Sequence, residues 1–327
     1  MTAPVAVHGV RKLFGQVRAL DELDLELGPG VTGLLGPNGS GKSTLIKLIA
    51  GQLRPDAGVV RLWGRDPFTC PEVFADLGIC TEQDRFYEEL RGRELVAALT
   101  RLQGFSAADA RARADRALER VGMATYADKR MREMSRGMRQ RTKFAQAIAH
   151  DPALVLLDEP LSGTDPIARA DLIALIRELG DEGRCVLVSS HVLHEVESMT
   201  REVVVIRHGR LRAQGDITRL RTLLDDRPYR IRLGLTPSDA ATAPEADVRR
   251  LAAALLGRAQ IKAATIVDAS ALEITTTDLD AACLEIPALA RDLGIALASF
   301  TSPDADLESL YRYLIQQIGR ASCRERV

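Results

Sequence analysis

Short apolar runs alternate with amphipathic stretches over the first two-thirds of the chain. Residues 31–35, 154–157 and 186–189 are continuous apolar runs, the pattern of strands buried on both faces. Apolar positions at helical spacing predict helices at 44–50 and 142–150. Strand and helix in turn predict an α/β fold around a parallel sheet. Residues 91–122, rich in Ala, Leu and Arg, predict a helical insertion beside that sheet, with the charges on a solvated face.

The pattern changes after the strand-like run 203–206 and the turn His208-Gly209. A mixed basic and acidic stretch at 219–228 marks a boundary, which predicts a large domain over 1–220 and a small one over 228–317. In the small domain 229–235, 263–267, 271–276 and 295–300 read as strands, and 247–258, 279–293 and 306–315 as helices. That βαββαβ order predicts a ferredoxin-like α+β unit, with 236–246 as a Pro-, Ala- and Thr-rich loop. The stretch 318–327, IGRASCRERV, reads as the translation of a short-read sequencing adapter and is left out of the fold reading.

Composition narrows the function classes. With 46% hydrophobic and 27% charged residues the chain is globular, and a net charge of -1 supplies no global basic field, although local Arg-rich stretches can still act; bulk charge names no partner, and no nucleic acid is expected among the partners. Cys70, Cys80, Cys185, Cys283 and Cys323 are odd in number and lack CxxC spacing, which fits a reducing cytoplasm. His8, Arg11 and Lys12 interrupt the start, so no signal peptide is expected. No run approaches the roughly 20 apolar residues of a membrane span, so any membrane role requires a second chain.

Chemistry enters at Gly36-Pro37-Asn38-Gly39-Ser40-Gly41-Lys42-Ser43-Thr44, which fits G-x-x-x-x-G-K-[ST] between a predicted strand and a predicted helix. Glycines let the backbone wrap phosphate oxygens, and the helix N-terminus favours negative charge. Lys42 reaches the β and γ phosphates and Ser43 can ligate Mg2+. Alone, the motif marks a P-loop NTPase. Asp158 and Glu159 end the apolar strand 154–157, at the carboxyl edge where α/β sheets place their sites. Asp158 suits Mg2+, directly or through water, and Glu159 suits a general base on the attacking water.

With these motifs the chain resembles the ATP-binding cassette family from about residue 5 to 218. Gln83, in Cys80-Thr81-Glu82-Gln83, is similar to the Q-loop glutamine that touches Mg2+ and faces the permease. Met134-Ser135-Arg136-Gly137-Met138-Arg139-Gln140-Arg141, placed before the helix 142–150, resembles the LSGGQ signature with its trailing Gln-Arg. Leu161-Ser162-Gly163-Thr164-Asp165-Pro166 resembles the D-loop, and His191 the H-loop histidine that contacts the γ-phosphate. Phe14 fits the aromatic that stacks on adenine. The resemblance implies that Ser135, Gly137 and Met138 bind ATP held by the opposite subunit, so that a homodimer sandwiches its nucleotides. It implies catalytic roles for Lys42, Gln83, Glu159 and His191, and ATP with Mg2+ as cofactors.

Arg136, Met138 and Thr164 stand where the common pattern has Gly, Gln and Leu. This form resembles the export-type branch whose permease is a separate six-helix protein, which implies a subunit docked at the inner face of the membrane. Asp304, Asp306 and Glu308 read as favourable acids in a helix first turn, not as a metal site, and similar tails in that branch suggest regulation or dimer support. The alternative is a soluble ABC ATPase acting on ribosomes or nucleic acid. Against it, no long coiled coil fits between Lys42 and Ser135, and one cassette is present. The cargo is open, because substrate contacts belong to the permease.

Overall fold

In a computed structural model, which describes residues 3–82, 87–217, 229–236 and 244–301, the continuous apolar runs become the inner strands of one sheet. It contains β3 (Gly30–Leu35), β5 (Leu77–Cys80), β6 (Leu154–Asp158), β7 (Cys185–Ser190), β8 (Glu202–Arg207) and β9 (Arg210–Asp216), in the order β5-β6-β7-β3-β8-β9. All neighbours are parallel except β8 and β9. Every residue of β6 and β7 is buried, as expected for strands covered on both faces. Register then fixes the site. Leu35 pairs with Ser190 and Asp158 with Ser189, so β3, β6 and β7 end on one edge of the sheet.

A second sheet was not expected from the pattern. β1 (Val5–Phe14), β2 (Val17–Leu27) and β4 (Ala57–Leu62) pair antiparallel in the order β2-β1-β4. Register shifts between Val7 and Val10 and between Val10 and Lys12 break the period of two on β1, and β2 is rich in Leu, Glu and Asp instead of β-branched residues. Val5, Val7, Leu23 and Leu25 of this sheet share a core with Leu45 and Ile49 of α1 (Lys42–Ile49) and with Leu34 and Leu156.

The insertion consists of α2 (Gly92–Arg101) and α3 (Ala107–Arg120). On α3, Ala110, Ala114, Ala117 and Leu118 are buried at one-turn spacing while the arginines face solvent. Here the structure corrects one expectation. α4 runs over Arg136–Ile148, so Arg136, Gly137 and Met138 form its first turn and do not precede it. Ser135 is the cap, its hydroxyl accepting from Met138 N at 3.3 Å. The helices α5 (Pro166–Asp181) and α6 (Leu193–Glu197) follow the edge loops after β6 and β7.

The end of α4 is tied to β5 by His150, whose Nε2 lies 3.0 Å from the Leu77 carbonyl and therefore donates to it. Burial pushes the imidazole below its usual pKa, an effect to which Arg113 adds and which the Leu77 carbonyl opposes. As pH falls, the unfolded chain takes up this proton at about 6.5 and the folded chain only lower down. The contribution is thus complete above about pH 6.5 and declines below it, by up to about 1.4 kcal/mol per pH unit inside the window. Wild type is expected to lose more melting temperature than His150→Gln between about pH 7.5 and about pH 5.5. Parallel losses would show that His150 does not titrate in this window.

The chain divides into two compact units, Met1–Ile217 and Thr218–Val327. The second is built from β10 (Tyr229–Leu235), α7 (Pro244–Leu256), β11 (Ile261–Asp268), β12 (Ala271–Thr276), α8 (Leu279–Asp292) and β13 (Leu297–Thr301). Its sheet is antiparallel in the order β11-β12-β10-β13. Ile231, Leu233, Leu272 and Ile274 share its core with Val248 and Leu251 of α7 and Ile286 of α8. The helix expected at 306–315 and the stretch 318–327 lie outside the described residues.

Candidate functional site

The turn between β3 and α1 makes a cradle of backbone amides. Gly41 is the N-cap of α1 at φ 111, and a Cβ there would lie 2.5 Å from the Ala19 carbonyl, so both conformation and space require glycine. No side chain caps α1, which leaves the first-turn N–H groups available to a bound anion. The Ser40 hydroxyl in the same turn is buried without a hydrogen-bond partner. Ser40 N donates to Pro37 O at 3.1 Å and Lys42 Nζ to Gly36 O at 2.7 Å, so the lysine folds back across the turn.

A cleft of about 440 Å³ opens over this turn. Asn38, Gly39, Ser40, Gly41, Lys42, Ser43 and Thr44 form its floor, with Val17 and Ala19 from β2 on one side. Glu82, Glu159, Ser162 and His191 complete the lining. That volume is within the range of sites that enclose a small ligand.

Glu159 follows the last residue of β6 and is held in the left-handed region at φ 50. Its backbone is pinned at both ends. Glu159 N donates to Ser189 Oγ at 3.0 Å, and Ser162 N donates to Glu159 O at 3.2 Å. Ser189 Oγ donates in turn to Asp158 Oδ1 at 2.7 Å, so one serine orders both acids. The Glu159 carboxylate lies 2.9 Å from His191 Nδ1 and 3.8 Å from Lys42 Nζ. Burial raises its pKa, against the hydrogen bond from His191 and the charge of Lys42. Burial lowers the pKa of Lys42, against the pull of Glu159, Asp158 and Glu82. The site therefore holds a buried carboxylate biased toward basicity beside a cation that a polyanion would stabilise.

Other expected residues are placed differently. Asp158 is 3% exposed behind the cleft and is not part of its lining. Phe14 is half-exposed at the end of β1, paired with Val17, which does line the cleft. Ser135, Gly137 and Met138 lie together at the start of α4, outside the lining. Gln83 lies outside the described residues. Val17 and Ala19 went unexpected because their sheet did. Ser162 belongs to the stretch that resembles the D-loop, and its position one turn after Glu159 is the sequence signal for its place at the cleft. Ser189 carried no signal, since its role arises from strand register.

Residues 20–162 match the family described as ABC transporter. The daunorubicin/doxorubicin resistance ATP-binding protein DrrA of Streptomyces peucetius is 37% identical over 258 residues, 78% of this chain and 76% of that protein. The Nod factor export ATP-binding protein I of Cupriavidus metallidurans is 35% identical over 217 residues, 66% of this chain and 72% of that protein. A solved structure of the ATP-binding subunit of an ABC transporter is 26% identical at TM-score 0.63, covering 68% of this chain and 93% of that one. A dimeric bacterial ABC transporter cassette shares the fold at TM-score 0.60 and 22% identity, covering 65% of this chain and 98% of that one.

Proposed function

Since this chain belongs to the family of ABC transporter ATP-binding proteins, we propose that two copies close head to tail over two ATP molecules and drive a separate membrane permease in export. The chain binds ATP and hydrolyses it as the ATPase subunit of an export-type ABC transporter. This reading stands over the soluble ribosome- or nucleic-acid-acting alternative. No described helix is long and apolar enough to cross a membrane, which fits a subunit held at the inner face of the cell membrane by its permease.

One observation carries the dimer. The cleft gathers the phosphate cradle, Lys42, Glu159 and His191, whereas Ser135 and the start of α4 lie outside it. A second copy that presents this helix start to the γ-phosphate would complete each site. In that reading Lys42, Glu159, His191 and Gln83 are the catalytic set, and Phe14 stacks on adenine. Ser43, Gln83 and Asp158, the last directly or through water, would hold Mg2+ brought with the nucleotide. Oxygen donors of this kind suit an ion that keeps most of its shell from water and phosphate. Among the described residues no cluster of three or more His, Cys, Asp or Glu could hold a metal alone. When bound, the ion neutralises phosphate charge. The domains are read as 1–220 and 228–317, and the small one as ferredoxin-like, supported by its βαββαβ order and its β11-β12-β10-β13 sheet.

The test separates the shared site from the private one. Ser135→Arg puts bulk and charge where the second copy's γ-phosphate docks, so it should bind ATP with wild-type affinity yet lose cooperative turnover. Mixed with Lys42→Ala, it should regain ATPase activity that neither variant has alone, because one of the two interfaces is then intact. Ser135→Arg that keeps full cooperative turnover as a monomer would sink the head-to-tail reading.

A further inference from the structure

Arg136 occupies the first turn of α4, where the family pattern has glycine, and α4 has no acid in that turn to offset the charge. A cation at this end of a helix is unfavourable by itself. Its guanidinium is held from elsewhere: Nη2 donates to Ser162 Oγ at 3.0 Å. The arginine also lies across Gly163, since a Cβ on that glycine would come within 2.6 Å of Arg136 Cδ. Gly163 has φ +75, so the position is reserved for glycine by conformation and by the arginine together. On the other side of the same contact, a Cβ on Gly137 would lie 3.2 Å from Gly163 O. The helix start and the turn after Glu159 are thus packed backbone to backbone.

That turn leads directly to the catalytic carboxylate. Ser162 lines the nucleotide cleft, and its amide donates to Glu159 O at 3.2 Å. Gln140, one turn further along α4, donates from Nε2 to the same carbonyl at 3.4 Å. α4 therefore reaches the backbone of Glu159 by two routes, one direct and one through Arg136 and Ser162. Glu159 sits at φ 50, a conformation that persists only while its neighbours hold it.

We propose that Arg136 is a positioning residue that couples the two ATP sites. It locks the Ser162 turn, and with it the backbone of Glu159, to the helix start that meets the other subunit's γ-phosphate. A nucleotide docking on one face of α4 is then felt at the general base of the subunit's own site. The inference rests on the head-to-tail reading above. It assigns this chain's departure from the signature pattern a task that glycine cannot perform, because glycine has no donor to reach Ser162.

The experiment compares Arg136→Met, which keeps the stem over Gly163 and loses the donor, with Ser162→Ala, the double variant and Arg136→Lys. ATPase rate against ATP concentration is measured on the full chain, together with binding of a fluorescent ATP analogue. Each single variant is expected to lower kcat about three- to tenfold and move the Hill coefficient toward one, with analogue affinity held within about twofold. The double variant should be no worse than the worse single one, and Arg136→Lys should recover part of the loss. Multiplying losses in the double variant, or unchanged kcat and Hill coefficient in Arg136→Met beside a cooperative wild type, overturn the coupling alone. A wild type without cooperativity or ATP-dependent dimerisation overturns the head-to-tail reading and takes the coupling with it.

Discussion

Lys42→Ala is expected to abolish ATP binding at working concentrations. Lys42 is the one lysine or arginine among the described residues that line the cleft, and two carboxylates, Glu82 and Glu159, line it as well. Removing the ammonium therefore leaves a site of net negative charge facing a triphosphate. A hydrogen bond to a charged group contributes about 1.5–3 kcal/mol, and uncompensated repulsion adds to the loss. Since about 1.4 kcal/mol is tenfold in affinity, the lost bond alone should raise Kd about tenfold to a hundredfold, and the repulsion should raise it further. The fold should survive, because Lys42 Nζ engages Gly36 O of its own turn and Glu159 at 3.8 Å, while α1 is held against β6 by the apolar core of Leu45, Ile49 and Leu156. Equilibrium dialysis decides the matter: unchanged affinity in a folded variant would refute the phosphate cradle.

Glu159→Gln should separate binding from chemistry. The amide keeps the size of the side chain and can still pair with His191 Nδ1, now 2.9 Å from the carboxylate, but it cannot accept the proton of an attacking water. Loss of a general base costs about a hundredfold to ten-thousandfold in rate. ATP affinity should hold or improve, because the substitution also removes a negative charge from the cleft. The stalled protein should elute in size exclusion as an ATP-bound dimer while wild type returns to monomer. Hydrolysis at the wild-type rate would move the base elsewhere.

These two residues were legible in the sequence for a local reason. A phosphate turn requires a fixed run of glycines around one lysine, and an acid at the end of an apolar strand is written in five or six consecutive letters. The inner strands β3, β6 and β7 were legible because burial on both faces leaves uninterrupted apolar runs. What could not be read depends on apposition across the chain. Val17 and Ala19 reach the cleft through a sheet whose bulges hide its period, and Ser189 meets Asp158 only through strand register. Periodicity puts the start of α4 too late because Arg136, Gly137 and Met138 carry no apolar period, and the buried stripe of that helix begins at Gln140. Its cap, Ser135, carries a phosphate role by resemblance, and in the structure the same hydroxyl begins the helix.

The backbone of Glu159 has a consequence for anyone who sets out to engineer this protein. A non-glycine residue at φ 50 stores of order 1 kcal/mol, and here it also carries a carboxylate that burial disfavours in its charged form. With Glu159 as the general base proposed above, heat resistance and turnover pull in opposite directions at one position. A library ranked by melting temperature alone would drift toward glycine or asparagine at 159, and its most robust members would be inert. Selection for a hardier motor has to gate on phosphate release in every round.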